Sequence, residues 1–344
     1  MHKIDQQLNL MIRGRFDEGW KLSEQLHEEN PDDIRHLFNR GWFLIHQGDL
    51  QGGFQCLEVG RFLNVYGGGK LNTTKPIYNP KIHTLKGKTI ILKMEAGYGD
   101  QIIYARFATT AFNQGAHVII CSDPQLHPLF ARIPGVSKCI TVSDVPLIYH
   151  DYWLPGFSCS WIFGHTFETL PNHVYMFPNL ESVSIWKDII DSDKPKIGIR
   201  WSGNPLFEHQ QFRVFPPEKL ISLHKISECQ FYSLQRDFDI VELPKEVIDL
   251  QHLIISWEDT AAAIANLDLV ITSCTSIAHL SAAMGKPTWV IVPLLPYHIW
   301  AYGNDHSPWY QKTTRVFRQK EFGNWDQTFN LVEQELLKYF NINL

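Results

Sequence analysis

From residue 88 onward, short apolar runs rich in isoleucine and valine alternate with longer stretches whose apolar residues recur every three or four positions. That alternation predicts strands buried in parallel sheets, each followed by a covering helix. In a first block the predicted strands are 88–94, 117–121, 139–142 and 152–154, with a helix over 101–113. A second block restarts with a strand at 196–200, a helix at 217–225, a strand at 230–234 and a helix at 259–266. It continues through a strand at 268–271, a helix at 277–284, strands at 288–292 and 315–317, and an amphipathic helix at 326–340. Two consecutive blocks of this kind predict two open α/β domains facing one another, with ligand bound in a cleft at the carboxyl ends of the strands.

The first 66 residues have a different period. Gly14-Arg15-Phe16-Asp17-Glu18-Gly19-Trp20 recurs as Gly48-Asp49-Leu50-Gln51-Gly52-Gly53-Phe54 after 34 residues, the tetratricopeptide spacing. Gly19 and Gly53 are small enough to let paired helices approach, Leu26 and Leu57 are apolar on the second helices, and Pro31 closes the first repeat. About four helices are expected, in a block too short to stand alone and suited to docking a protein partner or capping the adjoining α/β domain. The expected division is therefore a repeat region at 1–66, a Gly- and Pro-containing linker at 67–87, and Rossmann-like domains at 88–193 and 194–344. Asp191-Ser192-Asp193-Lys194-Pro195 marks the hinge between the last two.

Charge narrows the partners. Lys+Arg 31 against Asp+Glu 36 gives a net charge of −5, so no overall basic field points to nucleic acid or an anionic membrane. With no signal pattern at the N-terminus and no apolar run of membrane-spanning length, a cytoplasmic location and no transmembrane segment are expected. The six cysteines carry no C-x-x-C pair, which signals neither a zinc site nor a disulfide framework, and no cofactor is indicated.

Two turns carry the candidate chemistry. Thr272-Ser273-Cys274-Thr275-Ser276 joins the 268–271 strand to its helix, and spacings of three and four put His279 over Ser276 and Thr275 at the helix N-terminus. Unpaired N–H groups and the positive end of the dipole favour an anion such as phosphate there. Capping by Ser276 and an interior, hydrogen-bonded His279 are the structural alternative. The other turn is Glu95-Ala96-Gly97-Tyr98-Gly99-Asp100 after the first strand, a glycine turn that lacks the full dinucleotide fingerprint.

Together, G-Y-G-D-Q at 97–101, R-W-S-G-N-P at 200–205, D-T-A-A-A-I-A-N-L-D-L-V-I-T at 259–272, C-T-S-I-A-H-L-S-A-A-M-G-K-P at 274–287 and S-P-W-Y at 307–310 resemble tetratricopeptide-bearing relatives of glycosyltransferase family nine. That family contains the lipopolysaccharide heptosyltransferases. The resemblance implies a GT-B fold of two Rossmann-like domains, acceptor on the N-terminal one and nucleotide-sugar donor on the C-terminal one, without metal. It implies Asp100 as general base within the Gly97 and Gly99 turn, with N-capping as its structural alternative. Thr275, Ser276, His279 and Arg213 then fall to the donor diphosphate, Ser202 and Gly203 to a loop over the phosphates, and Gln235 to the base or ribose. The expected reaction is inverting transfer of a hexosyl or heptosyl group from a nucleotide-diphosphate sugar to a hydroxyl of a glycan, lipopolysaccharide-like or protein acceptor. A binding scaffold and a sugar-nucleotide epimerase stay open as alternatives. Cys274 departs from the aspartate common in the family, and Asp237-Phe238-Asp239 is read as a solvated turn rather than a metal site.

Overall fold

The structure is a computed structural model that describes residues 2–67, 71–203, 214–236, 241–303, 305–310 and 312–342. Arg213 and the 237–239 triplet lie outside the described residues. Contacts divide the chain into a first unit of residues 1–11 and 15–177 and a second of 12–14 and 178–344.

The first unit opens with four helices, α1 (Lys3–Ile12), α2 (Phe16–Glu29), α3 (Ile34–His46) and α4 (Leu50–Leu57). Asp33 caps α3 by accepting the Arg35 and His36 N–H groups, and Asp49 caps α4 by accepting that of Gly52. Close packing of α3 on α4 depends on glycine, since a Cβ on Gly53 would lie 2.4 Å from the Ile45 side chain and 3.0 Å from the Gly41 carbonyl. Next comes a four-stranded parallel sheet, built from β1 (Thr89–Lys93), β2 (His117–Cys121), β3 (Val136–Ile140) and β4 (Tyr152–Pro155) in the order β3-β2-β1-β4. The chain runs outward from β1 through β2 to β3 and then returns to the other side of β1. That reversal makes the carboxyl ends of β1 and β4 a topological switch point.

Helices α5 (Tyr98–Ala105) and α6 (Phe107–Asn113) connect β1 to β2, where one helix is expected from the sequence. They part at Arg106, whose fully buried guanidinium donates to the carbonyls of Ile103 (2.8 Å) and Pro171 (3.1 Å) and to the Tyr175 hydroxyl (3.2 Å). Short helices α7 (His127–Phe130) and α8 (Cys159–Ile162) complete the unit.

The second unit begins with α9 (Leu180–Ile189), then β5 (Lys196–Arg200), α10 (Pro217–Ile221), β6 (Gln230–Ser233), β7 (Val247–Asp249) and α11 (Trp257–Ala265). The remaining elements are β8 (Leu269–Ser273), α12 (Ser276–Ala283), β9 (Thr288–Val292), β10 (Thr314–Arg318) and α13 (Asp326–Tyr339). Helix α9 lies against α11, with Asn266 donating to the Val183 carbonyl at 2.9 Å and the Trp186 indole to Asp259 at 3.3 Å. These contacts bring the change of unit forward to residue 178, ahead of the 191–195 hinge expected from composition.

All six strands are parallel, in the order β10-β9-β8-β5-β6-β7. Ile197, Ile199, Leu269, Ile271, Trp289 and Ile291 pack with Phe329, Val332 and Leu336 of α13 in one apolar cluster. Burying each such side chain contributes about 1.5–3 kcal/mol. Here the chain goes outward through β6 and β7 before returning to β8, so the switch point lies between β5 and β8. Among the described residues no helix is long and apolar enough to cross a membrane.

Candidate functional site

The turn from β8 into α12 stands at the switch point of the second unit. Burial of all five β8 residues accounts for the strand, and the small residues of α12 allow that helix to pack almost wholly inside. Thr275 is the N-cap, in extended conformation, yet its side chain makes no cap hydrogen bond. Its hydroxyl instead meets that of Thr272 at 3.3 Å, and Thr272 donates to the Ser273 carbonyl at 3.0 Å. The hydroxyls are thus folded into the turn. A helix start of this kind leaves first-turn N–H groups for an external acceptor.

His279 is 3 % exposed and lies in an aromatic cluster. Its Nδ1 is 2.9 Å from the Tyr310 hydroxyl, and its ring stacks on Trp300 with centroids 5.1 Å apart. The Trp300 indole in turn donates to the Cys274 sulfur at 3.1 Å. Sequence reasoning missed this set, because Cys274, His279, Trp300 and Tyr310 come together from three segments; the adjacent S-P-W-Y stretch was its one visible sign.

Strand β5, which pairs with β8 through Arg200 and Thr272, delivers Trp201, Ser202 and Gly203 to the same switch point. Ser202 and Gln235, separate candidates in the sequence, are hydrogen-bonded to each other. Gln235 Nε2 donates to the Ser202 hydroxyl at 2.9 Å, and its Oε1 accepts the Ser202 N–H at 3.3 Å. Both are buried, so Gln235 fixes the loop after β5. Arg200 supports it from below, donating to the carbonyls of Ser202 (2.9 Å) and Leu234 (3.3 Å). The Trp201 indole nitrogen and the Ser273 hydroxyl are buried at the ends of these two neighbouring strands without a hydrogen-bond partner among the described residues. Such atoms call for a polar partner.

In the first unit the β1–α5 turn occupies the equivalent place. Its left-handed residue is Ala96, at φ 57, and neither of the two turn glycines. This backbone costs a residue bearing a Cβ about 1–2 kcal/mol and is found where surrounding contacts enforce it. Gly97 is the N-cap in extended conformation and Gly99 belongs to α5. Asp100 is half-buried, and its Oδ2 accepts the Gly97 N–H at 3.1 Å, closing the first turn of α5. Burial raises the Tyr104 hydroxyl well above the ordinary phenol range, with the Asp100 carboxylate pushing the same way. The site residues thus fall into two sets: Asp100, Gly97 and Gly99 in one unit, and Ser202, Gly203, Gln235, Thr275, Ser276 and His279 in the other. No group of three or more His, Cys, Asp or Glu suited to a metal ion occurs among the described residues.

The E. coli ADP-heptose lipopolysaccharide heptosyltransferase II superposes on 74% of this chain and 98% of its own, with a TM-score of 0.54 and 13% identity. The chain has a glycosyltransferase fold. A family 9 glycosyl transferase from Veillonella parvula covers 76% of this chain and 91% of its own, at a TM-score of 0.53 and 12% identity. Two α/β units with parallel sheets match the GT-B-like architecture of these enzymes. In sequence the chain is similar to protein FlbA of Caulobacter vibrioides, 23% identical over 285 residues, which is 73% of this chain and 47% of FlbA. The chain thus spans about half the length of the curated relative it matches. No family model matches the chain.

Proposed function

We propose that the protein is an inverting glycosyltransferase that uses a nucleotide-diphosphate sugar. The observation that carries this reading is the switch point of the second unit: an N-terminus without a side-chain cap from Thr275, beside a Ser273 hydroxyl and a Trp201 indole left without described partners. Parallel α/β sheets bind nucleotides at such reversals, and helix N-termini take their phosphates. The glycosyltransferase fold supports the same reading.

On this proposal the donor diphosphate is held at the first turn of α12 and by Arg213, while Gln235 holds the Ser202 loop in place. His279 contributes by keeping the turn packed on Trp300 and Tyr310. Asp100 takes the proton from the acceptor hydroxyl; the acceptor oxygen forms the new bond to the anomeric carbon; the bond from that carbon to the diphosphate oxygen breaks, its electron pair leaving with the diphosphate. One displacement inverts the anomeric centre. The helices that open the first unit are proposed as a tetratricopeptide-like pair that docks on the α/β part of that same unit.

Thermal-shift titration with ADP-, UDP- and GDP-sugars tests the reading, because a ligand that binds only the native state raises its apparent stability. A shift with one nucleotide class, and then release of its nucleoside diphosphate in the presence of a hydroxyl acceptor, is expected. Binding without any turnover would instead make the protein a sugar-nucleotide-binding scaffold.

A further inference from the structure

The turn that presents Asp100 is gripped by residues from far earlier in the chain. Ala96, in its left-handed conformation, donates its N–H to the Tyr66 carbonyl at 2.8 Å. Next to it Glu95, 5 % exposed, accepts from Arg61 at 2.8 Å and from the Phe157 N–H at 3.3 Å. Arg61 also pairs with Glu58, which accepts from the Ser158 hydroxyl at 2.8 Å and the Trp161 indole at 3.0 Å. The Tyr66 ring stacks on Phe157 with centroids 4.0 Å apart. Desolvating a charge pair is costly, so this partly buried pair is a weak stabiliser and a demanding constraint on geometry. This pair ends two residues before Gly97, whose N–H holds the Asp100 carboxylate.

We propose that the 58–66 segment after α4 sets the position of Asp100, with Arg61 and Glu95 as positioning residues for proton abstraction. The proposal rests on the glycosyl-transfer reading. Its physical content is that the helical block does more than fill space. Through one ion pair and one backbone hydrogen bond it selects the left-handed turn, and with that the direction of the catalytic carboxylate.

The test is a double-mutant cycle on kcat, read as nucleoside diphosphate released from the ADP-, UDP- or GDP-sugar that binds. Arg61→Gln is expected to lower kcat about 10- to 100-fold, the scale of an ångström misplacement, with the sugar-nucleotide KM unchanged. In an Asp100→Asn background the same substitution is expected to cost nothing further, because the carboxylate it positions is gone. Glu95→Gln keeps the size and the acceptor for Phe157, and it repeats the cycle if Arg61→Gln does not fold. Amide exchange at 96–100 is expected to quicken in either single variant, with 272–278 unaffected. An equal kcat loss with and without Asp100, or full activity in Arg61→Gln beside an inactive Asp100→Asn, would overturn this inference alone. A wild type that turns over no nucleotide sugar it binds would overturn the transfer reading and this proposal together.

Discussion

The two switch-point turns solve the same local problem in opposite ways. Each joins the carboxyl end of a central parallel strand to the N-terminus of a helix, where backbone N–H groups need acceptors. In the first unit the acceptor is built in: Asp100 folds back onto the Gly97 N–H and brings its own negative charge to the start of α5. In the second unit Thr275 withholds its hydroxyl from the helix and shares it with Thr272, and no acidic residue stands in the first turn of α12. One turn carries its own carboxylate, and the other, on the proposed mechanism, receives the anion of the donor. If the proposed mechanism holds, a base and a leaving group are served by different helix starts on similar scaffolds.

The strongest way to break this comparison is Asp100→Asn. Asparagine still accepts at the turn but is no base, so sugar transfer should fall about 10²–10⁴-fold while nucleoside-diphosphate affinity stays as it was. Equal losses of both in steady-state kinetics and calorimetry would mean that the two turns are not separate in role. Arg213→Ala is expected to act on the proposed donor site alone. Loss of one charge-assisted contact should weaken nucleoside-diphosphate binding by about 1.5–3 kcal/mol, roughly ten- to a hundredfold, and calorimetry showing no change would remove Arg213 from the donor site.

Acid acts in a different way, because each unit holds a buried neutral histidine that is not among the proposed site residues. Burial pushes His36 down to about 4, helped by nearby His27 and Arg40, and burial pushes His298 down to about 3. The unfolded chain, titrating near 6.5, then binds more protons than the folded one. Their effect is absent above that value, and stability is lost as pH falls toward 4 for His36 and 3 for His298. At pH 5 each histidine should cost about 2 kcal/mol. The stability gap between urea melts at pH 7 and pH 5 should narrow by about 2 kcal/mol in each of His36→Leu and His298→Leu; an unchanged acid loss would contradict the assignment. The smallest effect is expected at Gly97, whose backbone is ordinary and whose added Cβ would meet only Asp100, at 3.5 Å. Gly97→Ala should move stability by no more than about 0.5 kcal/mol, and a loss of several kcal/mol on thermal melting would show that the turn needs glycine there.

How much the sequence disclosed depends on how local each feature is. Strands at 117–121, 196–200 and 288–292 have the bounds expected from their β-branched runs, since residues buried on both faces leave an unbroken apolar signal. Strand β7 went unread because it is three residues long with two of them exposed. The break at Arg106 was hidden because its cause lies in hydrogen bonds to Pro171 and Tyr175, some seventy residues on. Among site residues, Thr275, Ser276 and His279 were legible as neighbours on one helix. The Ser202–Gln235 bond was not, and neither was the enclosure of His279 by Trp300 and Tyr310. Strand order and long-range pairing are non-local, and periodicity carries no record of either. Ala96 illustrates a further limit: the adjacent glycines are the local signal for a left-handed residue, while that conformation falls one position earlier, at a residue held by the distant Tyr66 carbonyl.

On the proposed mechanism α12 receives a diphosphate that the Asp100 turn does not. Amide hydrogen exchange with and without saturating ADP, UDP or GDP tests it most directly. The account predicts slower exchange at 201–203 and 275–278 for one of these nucleotides, with 96–100 unchanged. Protection of 96–100 with none at 275–278, or no protection from any of the three, would contradict it.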